Sequence, residues 1–235
     1  MKKICYIVAM EVEAQPFIDY CNVTRQEGFF APLPCLLYKG TVGESELYIV
    51  VNGTQHGTKL IGGSAACVAT MAAIERLHPD IVISSGTCGA WKKWGMNVGD
   101  VYLADGVMFH DRRVPGDDEY FTQTLGNYPV WEGTADLAKK IGVGMAKVTT
   151  GASFDMCDAD EEMIIQGGGR LKEMEGAAVA FVCSLYNVPI LLVKSVTDLC
   201  DVTTTNYEQF QANLKLAVDA LWDVNKKILA QLCAQ

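Results

Sequence analysis

The sequence has few histidines and no paired cysteine motif, and both absences argue against a metal centre. His56, His78 and His110 are the three histidines, and their positions share no ligand spacing. The nine cysteines are scattered, none forms a CxxC pair, and most lie inside apolar runs, where a free thiol behaves as a small hydrophobic side chain. We therefore expect no metal and a reducing, cytoplasmic environment.

Long apolar runs and excess positive charge are also lacking. No apolar run approaches the roughly 20 residues needed to span a bilayer. The apolar run near the N-terminus has only about seven residues and acids follow it directly, so we interpret it as a buried strand and not as a signal peptide. The net charge of −9 disfavours nucleic acid and anionic membrane as partners.

The sequence does contain short β-rich runs that alternate with helical patterns. β-rich runs occupy residues 2–10, 35–42, 46–53, 80–86, 100–109, 146–154 and 189–198. Helical patterns occupy residues 57–77, 134–141, 175–186 and about 206–232. Several of the strands are continuously apolar, which is typical of strands covered on both faces. The alternation predicts an α/β fold with a parallel or mixed central sheet and helices outside.

No repeat, low-complexity tract or linker interrupts this pattern, so we expect a single domain over residues 1–235. Half of the residues are apolar, which is enough for a sizeable core. Residues 111–133 form the least regular segment. A loop this long is either a functional lid or interface element, or a disordered surface loop.

Acidic residues follow several of the predicted strands. Glu13 follows the first strand, Asp198 ends the last, and Glu173 and Glu175 precede an apolar helix. Each acid alone has a structural explanation at a helix N-terminus or cap. Ligands of open α/β sheets bind beyond the carboxyl ends of strands. Three separate acids there, with no cationic cluster to pair them, indicate hydroxyl recognition and acid–base chemistry on a small polar molecule.

Five motifs in order, AMEVEA, SSGTCGA, TTGASFD, EMEGAAVA and VKSVTDLCD, run through the whole chain. With this order and spacing the chain resembles the nucleoside phosphorylase/hydrolase family, and within it the 5′-methylthioadenosine/S-adenosylhomocysteine nucleosidases. The resemblance implies an α/β fold that is a three-layer αβα sandwich with a mixed central β-sheet. It also implies a homodimer whose partner contributes to each active site, and no metal or organic cofactor.

The resemblance assigns roles to the acids. Glu13 matches the general base for an attacking water, and Asp198 matches the general acid that protonates N7 of a leaving adenine. Glu175 accepts hydrogen bonds from the ribose 2′ and 3′ hydroxyls, which suits an ionised carboxylate because it only accepts. Met174 packs on the sugar, and Glu173 is interpreted as structural.

The remaining substrate-binding residues follow from the same motifs. By resemblance, Met10 lies beside the ribose, and Phe154 stacks on the base, whose edge is read by the backbone of Phe154 and Asp155. The rest line the base and ribose or close over them: Thr87, Gly89, Thr197 and Tyr207.

The chain departs from the family pattern at a few positions. Asp155 stands where an apolar residue is usual, and Lys194 replaces an arginine. Arg112 and Arg113 stand where less charge is usual, and we expect them to contact an anionic 5′ substituent, a phosphate or the dimer partner. Phosphorylases of the family bind phosphate through a glycine turn and an arginine near the N-terminus. This chain has the acidic AMEVEA there, which favours water as the nucleophile.

The sequence therefore predicts hydrolysis of 5′-methylthioadenosine and S-adenosylhomocysteine with release of adenine. A hydrolase for another 5′-modified purine nucleoside such as futalosine is the first alternative, and a purine nucleoside phosphorylase is the second. A non-catalytic nucleoside-binding module is the third, and the intact set of Glu13, Glu175 and Asp198 argues against it.

Overall fold

A computed structural model gives the fold and describes residues 1–112 and 126–233. Its strands are β1 Lys3–Val8, β2 Thr24–Arg25, β3 Leu36–Val42, β4 Ser45–Val51, β5 Thr54–Gln55, β6 Thr58–Lys59, β7 Ile81–Ala90, β8 Val101–Leu103, β9 Val107–Phe109, β10 Gly144–Met145, β11 Val148–Thr150, β12 Leu171–Glu173 and β13 Ile190–Leu199. Its helices are α1 Glu11–Tyr20, α2 Gly63–Leu77, α3 Thr134–Ile141, α4 Asp158–Gln166, α5 Gly176–Tyr186 and α6 Asn206–Cys233, with a short 3₁₀ helix at Lys92–Trp94.

One mixed sheet organises the described chain. Its main path runs β10-β8-β13-β7-β1-β4-β3-β2, and β9, β11 and β12 extend it beside β7. β13, β7, β1 and β4 are parallel to one another, whereas β3 is antiparallel to β4 and β8 is antiparallel to β13. The carboxyl ends of the four parallel central strands therefore meet at one edge.

Both faces of this sheet are buried, which explains the continuously apolar strands. In β1, Ile4 and Tyr6 belong to the core on one face, while Cys5 and Ile7 belong to the core on the other. The first of these cores is completed by α1, α3 and α6, and the second by α2 and α5. The result is three layers, helices on sheet on helices, as predicted.

Several predicted boundaries were wrong for identifiable reasons. The single strand predicted over 100–109 is two short strands, β8 and β9, because the chain turns away at Asp105 and Gly106. The helix predicted over 57–77 begins only at Gly63, after the small hairpin of β5 and β6. α1 and α4 were not predicted. α1 carries Pro16, a residue that usually ends helices.

Within residues 1–112 and 126–233, no helix is both long and apolar enough to cross a membrane.

Candidate active site

A cavity of about 370 Å³ opens at the carboxyl ends of β1, β7 and β13. All but one of the residues predicted for the site line it: Met10, Glu13, Thr87, Gly89, Phe154, Met174, Glu175, Thr197, Asp198 and Tyr207. The exception is Asp155, whose side chain is not part of the lining. The fold thus brings together residues from distant parts of the sequence around a volume that suits a small organic ligand.

Glu13 is fixed by the start of α1 and by β7. As the third residue of the helix, it accepts a hydrogen bond at Oε2 from the backbone N–H of Met10, at 3.2 Å. Its Oε1 accepts from the backbone N–H of Thr87 at 2.8 Å and from the Thr87 hydroxyl at 2.9 Å. Burial raises the pKa of Glu13, and these donors oppose the rise. A carboxylate held in this way is well placed to act as a base.

Glu173 and Glu175 lie on either side of Met174 at the start of α5, and their carboxylates accept hydrogen bonds from different parts of the chain. Glu173 Oε2 accepts the N–H groups of Glu175 at 3.1 Å and Gly176 at 2.7 Å, so it satisfies donors that the helix leaves free. Glu175 is the N-cap residue, but its own side chain turns away and Oε1 accepts the N–H of Gly62 at 2.6 Å. Both carboxylates line the cavity.

The two carboxyl groups differ in pKa because their neighbours carry opposite charges. Burial and the neighbouring Glu173 raise the pKa of Glu175 to about 7. Burial alone would also raise the pKa of Glu173, but the Lys194 ammonium, 2.8 Å from its Oε2, holds that pKa below the usual value. Glu173 is therefore ionised and engaged, while Glu175 is poised between its two forms.

Asp198 lies near the end of β13, where the strand irregularity between Val196 and Asp198 turns its side chain into the cavity. Its Oδ1 accepts from the Thr197 hydroxyl at 2.7 Å, and its Oδ2 accepts from the Asn206 side chain at 2.8 Å. Burial raises the pKa of Asp198, and these two donors oppose it. A carboxyl group that keeps its proton to a higher pH is suited to donate it to a bound ligand.

The strand predicted over residues 80–86 extends further than expected, through the glycines of SSGTCGA. β7 continues to Ala90, and its glycines make room for carboxylates. A Cβ at Gly86 would lie 3.2 Å from Glu13 Oε1, and a Cβ at Gly89 would lie 2.8 Å from Asp198 Oδ2. Glycine is needed here for close approach of the side chains, as is common where a strand passes a binding site.

Aromatic side chains line the cavity opposite the sheet. Phe154 makes edge contacts with Tyr207 and Phe210, with ring centroids 6.4 and 5.5 Å apart. Phe154 and Tyr207 are partly exposed, Tyr207 to 59%. These rings offer flat apolar surface for a planar base.

The expectation that no cations lie among the acids was wrong: Lys194 forms an ion pair with Glu173, and Lys172 lies beside the acids without forming an ion pair among the described residues. Lys172 and Lys194 both line the cavity and are almost completely buried. The sequence singled out Lys194 only as a departure from the family pattern and gave no sign of Lys172, because a single lysine inside a strand is usually a surface residue. Asn52 was also missed. It lines the cavity, and its buried amide has no hydrogen-bond partner among the described residues.

Of the two arginines noted in the sequence, Arg112 lies beside the aromatic ring of Phe109. The guanidinium of Arg112 lies over the Phe109 ring, 3.5 Å from its centroid, and Arg112 is not part of the cavity lining. Arg113 lies outside the described residues, as does most of the irregular segment 111–133.

The structure is that of an αβα protein with a small-molecule cavity whose carboxyl groups can give and take protons near neutral pH. Three carboxyl groups with raised pKa values, those of Glu13, Glu175 and Asp198, surround one cavity, with aromatic rings at its mouth. The chain belongs to the phosphorylase superfamily, whose family model matches residues 3–230.

Two proteins of Arabidopsis thaliana are similar over almost the whole chain. A 5′-methylthioadenosine nucleosidase is 34% identical over 97% of this chain and 86% of its own length. A 5′-methylthioadenosine/S-adenosylhomocysteine nucleosidase is 34% identical over 96% of this chain and 90% of its own length.

Solved structures share the fold. The apo structure of an Arabidopsis thaliana 5′-methylthioadenosine nucleosidase superposes with a TM-score of 0.93 at 33% identity, covering 99% of this chain and 96% of the other. A futalosine hydrolase from Helicobacter pylori superposes with a TM-score of 0.81 at 23% identity, covering 98% of each chain, which is a likeness of fold.

Proposed function

We propose that this protein hydrolyses the N-glycosidic bond of 5′-methylthioadenosine and S-adenosylhomocysteine and releases adenine. The observation that carries the proposal is the convergence of Glu13, Glu175 and Asp198 on one cavity. The nucleosidases from Arabidopsis thaliana, similar over nearly the full length of the chain, point to the same substrates.

In the proposed reaction, the bond between C1′ of the ribose and N9 of adenine breaks. Asp198 gives its proton to N7, so adenine leaves as a neutral molecule. Water attacks C1′ and passes a proton to Glu13. The carboxylate of Glu175 accepts the ribose hydroxyls and stabilises the positive charge that develops on the sugar.

The remaining lining residues are assigned to binding. Met10 and Met174 pack on the ribose, Phe154 stacks on the base and Tyr207 closes over it. On the β7 and β13 side, the residues assigned to binding are Thr87, Gly89 and Thr197. The backbone of Phe154 and Asp155 reads the edge of the base, which is consistent with an Asp155 side chain outside the lining.

The surroundings of Glu13 favour water over phosphate as the nucleophile. A phosphorylase needs free cations to hold phosphate. Among the described residues, the cations that line the cavity are Lys172 and Lys194. Both are engaged, Lys194 with Glu173 and Lys172 with the carbonyls of Ser153 and Phe154.

The 5′ group separates the leading proposal from the futalosine alternative. A carboxylated 5′ substituent calls for a cation at the mouth of the cavity, whereas the lining there is apolar, with Ile61, Tyr207 and Phe210. This apolar surface suits a thioether, and the relatives with the higher identity are methylthioadenosine nucleosidases.

A panel of nucleosides tests the proposal. We expect adenine from 5′-methylthioadenosine and S-adenosylhomocysteine, with and without phosphate, and slower release from adenosine, whose 5′ hydroxyl suits an apolar pocket poorly. The products are measured by mass spectrometry. A protein that binds these nucleosides without releasing adenine is a binding module, and one that prefers futalosine belongs to the alternative.

We also propose that the chain is one domain over residues 1–235 and works as a cytoplasmic homodimer with no nucleic-acid partner. The exposed apolar residues beside the cavity, Ile61 among them, are surface that a second copy would cover. All nine cysteines are free thiols, as a reducing compartment requires. Sedimentation of the purified protein tests the dimer.

A further inference from the structure

Lys172 is a buried lysine with no carboxylate partner among the described residues. It is only 4% exposed and lines the cavity. The ion pairs found in residues 1–112 and 126–233 include Lys194 with Glu173, and none of them contains Lys172. Burying an ammonium group without a counter-ion is costly, so other contacts must compensate.

The compensating contacts are two backbone carbonyls. Lys172 Nζ donates to the oxygen of Ser153 at 2.9 Å and to the oxygen of Phe154 at 2.8 Å. The lysine itself is held rigidly, because it lies in β12 and pairs with Gly89 of β7. It therefore links the sheet directly to the segment that carries Phe154.

That segment depends on side chains for its shape. Residues 151–157 contain no helix or strand, so secondary structure does not orient their peptide groups. Outside contacts do so instead: the carboxylate of Asp111 accepts the N–H of Ala152 at 2.6 Å, and Lys172 binds the next two carbonyls.

We propose that Lys172 is a positioning residue for the purine base, fixing the turn that carries Phe154 and so placing the base against Asp198. The inference rests on the proposed function and adds a residue that does not itself transfer a proton. Proton transfer to N7 needs the base and acid in register, and a displacement of about 1 Å costs up to about 100-fold in rate.

The charge of Lys172 has a second, separable effect. It opposes the burial that raises the pKa of Asp198. The pKa of Lys172 is itself lowered by burial, while Cys200, Asp198, Asp160 and Asp155 act in the opposite direction. Without the cation, Asp198 holds its proton to a higher pH, and the basic limb of the kcat profile moves upward.

Three substitutions separate these effects. Lys172→Met removes both the donors and the charge, Lys172→Gln keeps a donor without the charge, and Lys172→Arg keeps both. Lys147→Met is the matched control, because Lys147 Nζ donates to the carbonyl of Gly167 at 3.0 Å and does not line the cavity. Each variant is measured for kcat, KM, pH profile, melting temperature and adenine affinity by calorimetry.

We expect Lys172→Met to lower kcat/KM at least about 10-fold and to weaken adenine binding by a similar factor. Lys172→Arg should restore most of both, and Lys172→Gln should be intermediate. The basic limb should move upward in the Met and Gln variants and stay in place in the Arg variant. Lys147→Met should match the wild type in all kinetic measurements.

Two results would overturn the inference. One is a Met variant within twofold of the wild type in both kcat/KM and adenine affinity. The other is an Arg variant as impaired as the Met variant with all pH profiles unchanged, which would make Lys172 a purely structural residue. If the wild type releases no adenine, the proposed function fails, and adenine affinity alone still tests Lys172. Both fall if the wild type does not bind adenine either.

Discussion

Replacing Asp198 by asparagine should abolish turnover while leaving binding largely intact. Adenine is a poor leaving group as an anion, so it needs a proton at N7 as the glycosidic bond breaks. Asparagine keeps the shape of aspartate and can hydrogen-bond the base, but it has no proton to give. Positioned proton transfer contributes about 10²- to 10⁴-fold in rate, which corresponds to about 2.7–5.5 kcal/mol of barrier.

The structure limits the accompanying loss of stability. The Thr197 hydroxyl, 2.7 Å from Oδ1, can still donate to an amide oxygen. The second contact, from Asn206 to Oδ2 at 2.8 Å, would bring two NH₂ groups together, and Asn206 must flip its amide to restore it. One weakened hydrogen bond costs about 1 kcal/mol, or about 2–4 °C in melting temperature for a chain of this size.

The assay compares kcat with the dissociation constant of an unreactive nucleoside analogue. We expect kcat to fall at least about 100-fold and the dissociation constant to change less than about 10-fold. Asp201→Asn is the matched control. Asp201 accepts the backbone N–H groups of Lys92 and Lys93 at 2.7 and 2.8 Å and lies outside the cavity lining, so its variant should lose stability and keep kcat.

Near-normal turnover by the Asp198 variant together with loss of activity in the Asp201 variant would refute this reasoning. The acid would then have to be reassigned within VTDLCD, and the role of β13 in the site redrawn.

Three further outcomes are expected. Burial raises the pKa of Glu175 from 4.5 to about 7, so the folded chain holds the Glu175 proton more tightly than the unfolded chain does. The contribution of this group to stability therefore falls as the pH rises from 4.5 to about 7. Ligand-free Glu175→Gln should therefore melt higher than the wild type at pH 8, yet lose both substrate affinity and kcat; a lower melting temperature would contradict the assignment. Lys194→Met leaves Glu173 buried without its cation, at a cost of about 3–5 kcal/mol in denaturant unfolding, and the added change Glu173→Gln should recover part of it. Gly89→Ala places a Cβ 2.8 Å from Asp198 Oδ2 and displaces that carboxyl group, so kcat should fall strongly while the melting temperature changes little.

The layers of the fold were predictable because strands and helices that are buried on both faces have mostly apolar sequences. The largely apolar runs at 46–53 and 189–198 became β4 and β13, and the almost wholly apolar pattern at 175–186 became the internal helix α5. The helix predicted at 134–141 has those bounds in the structure. Here local pattern and tertiary environment agree.

Contacts between distant residues left no such trace. The local sequence SSGTCGA is compatible with a turn or with a strand. Its glycines are needed because β7 passes carboxylates that are distant in sequence, such as Glu13, which is more than 70 residues from Thr87. The same holds for Lys172 and Lys194. Each follows apolar or glycine-rich sequence, and only the assembled sheet places the two ammonium groups among the acids.

The acids themselves were recognised through the order of five motifs, and their separate roles depend on surroundings that the sequence does not show. Glu173 and Glu175 are two residues apart, yet Lys194 keeps one ionised while burial brings the pKa of the other to about 7. That difference arises from the fold and not from the motif.

Hydrolysis in ¹⁸O-labelled water tests the central claim most directly. The wild-type protein is incubated with 5′-methylthioadenosine in phosphate-free buffer, and the sugar product is analysed by mass spectrometry. The account predicts adenine and free 5-methylthioribose carrying one ¹⁸O atom, because water attacks C1′ with Glu13 as its base. Turnover that requires phosphate, or a sugar 1-phosphate as product, would contradict it.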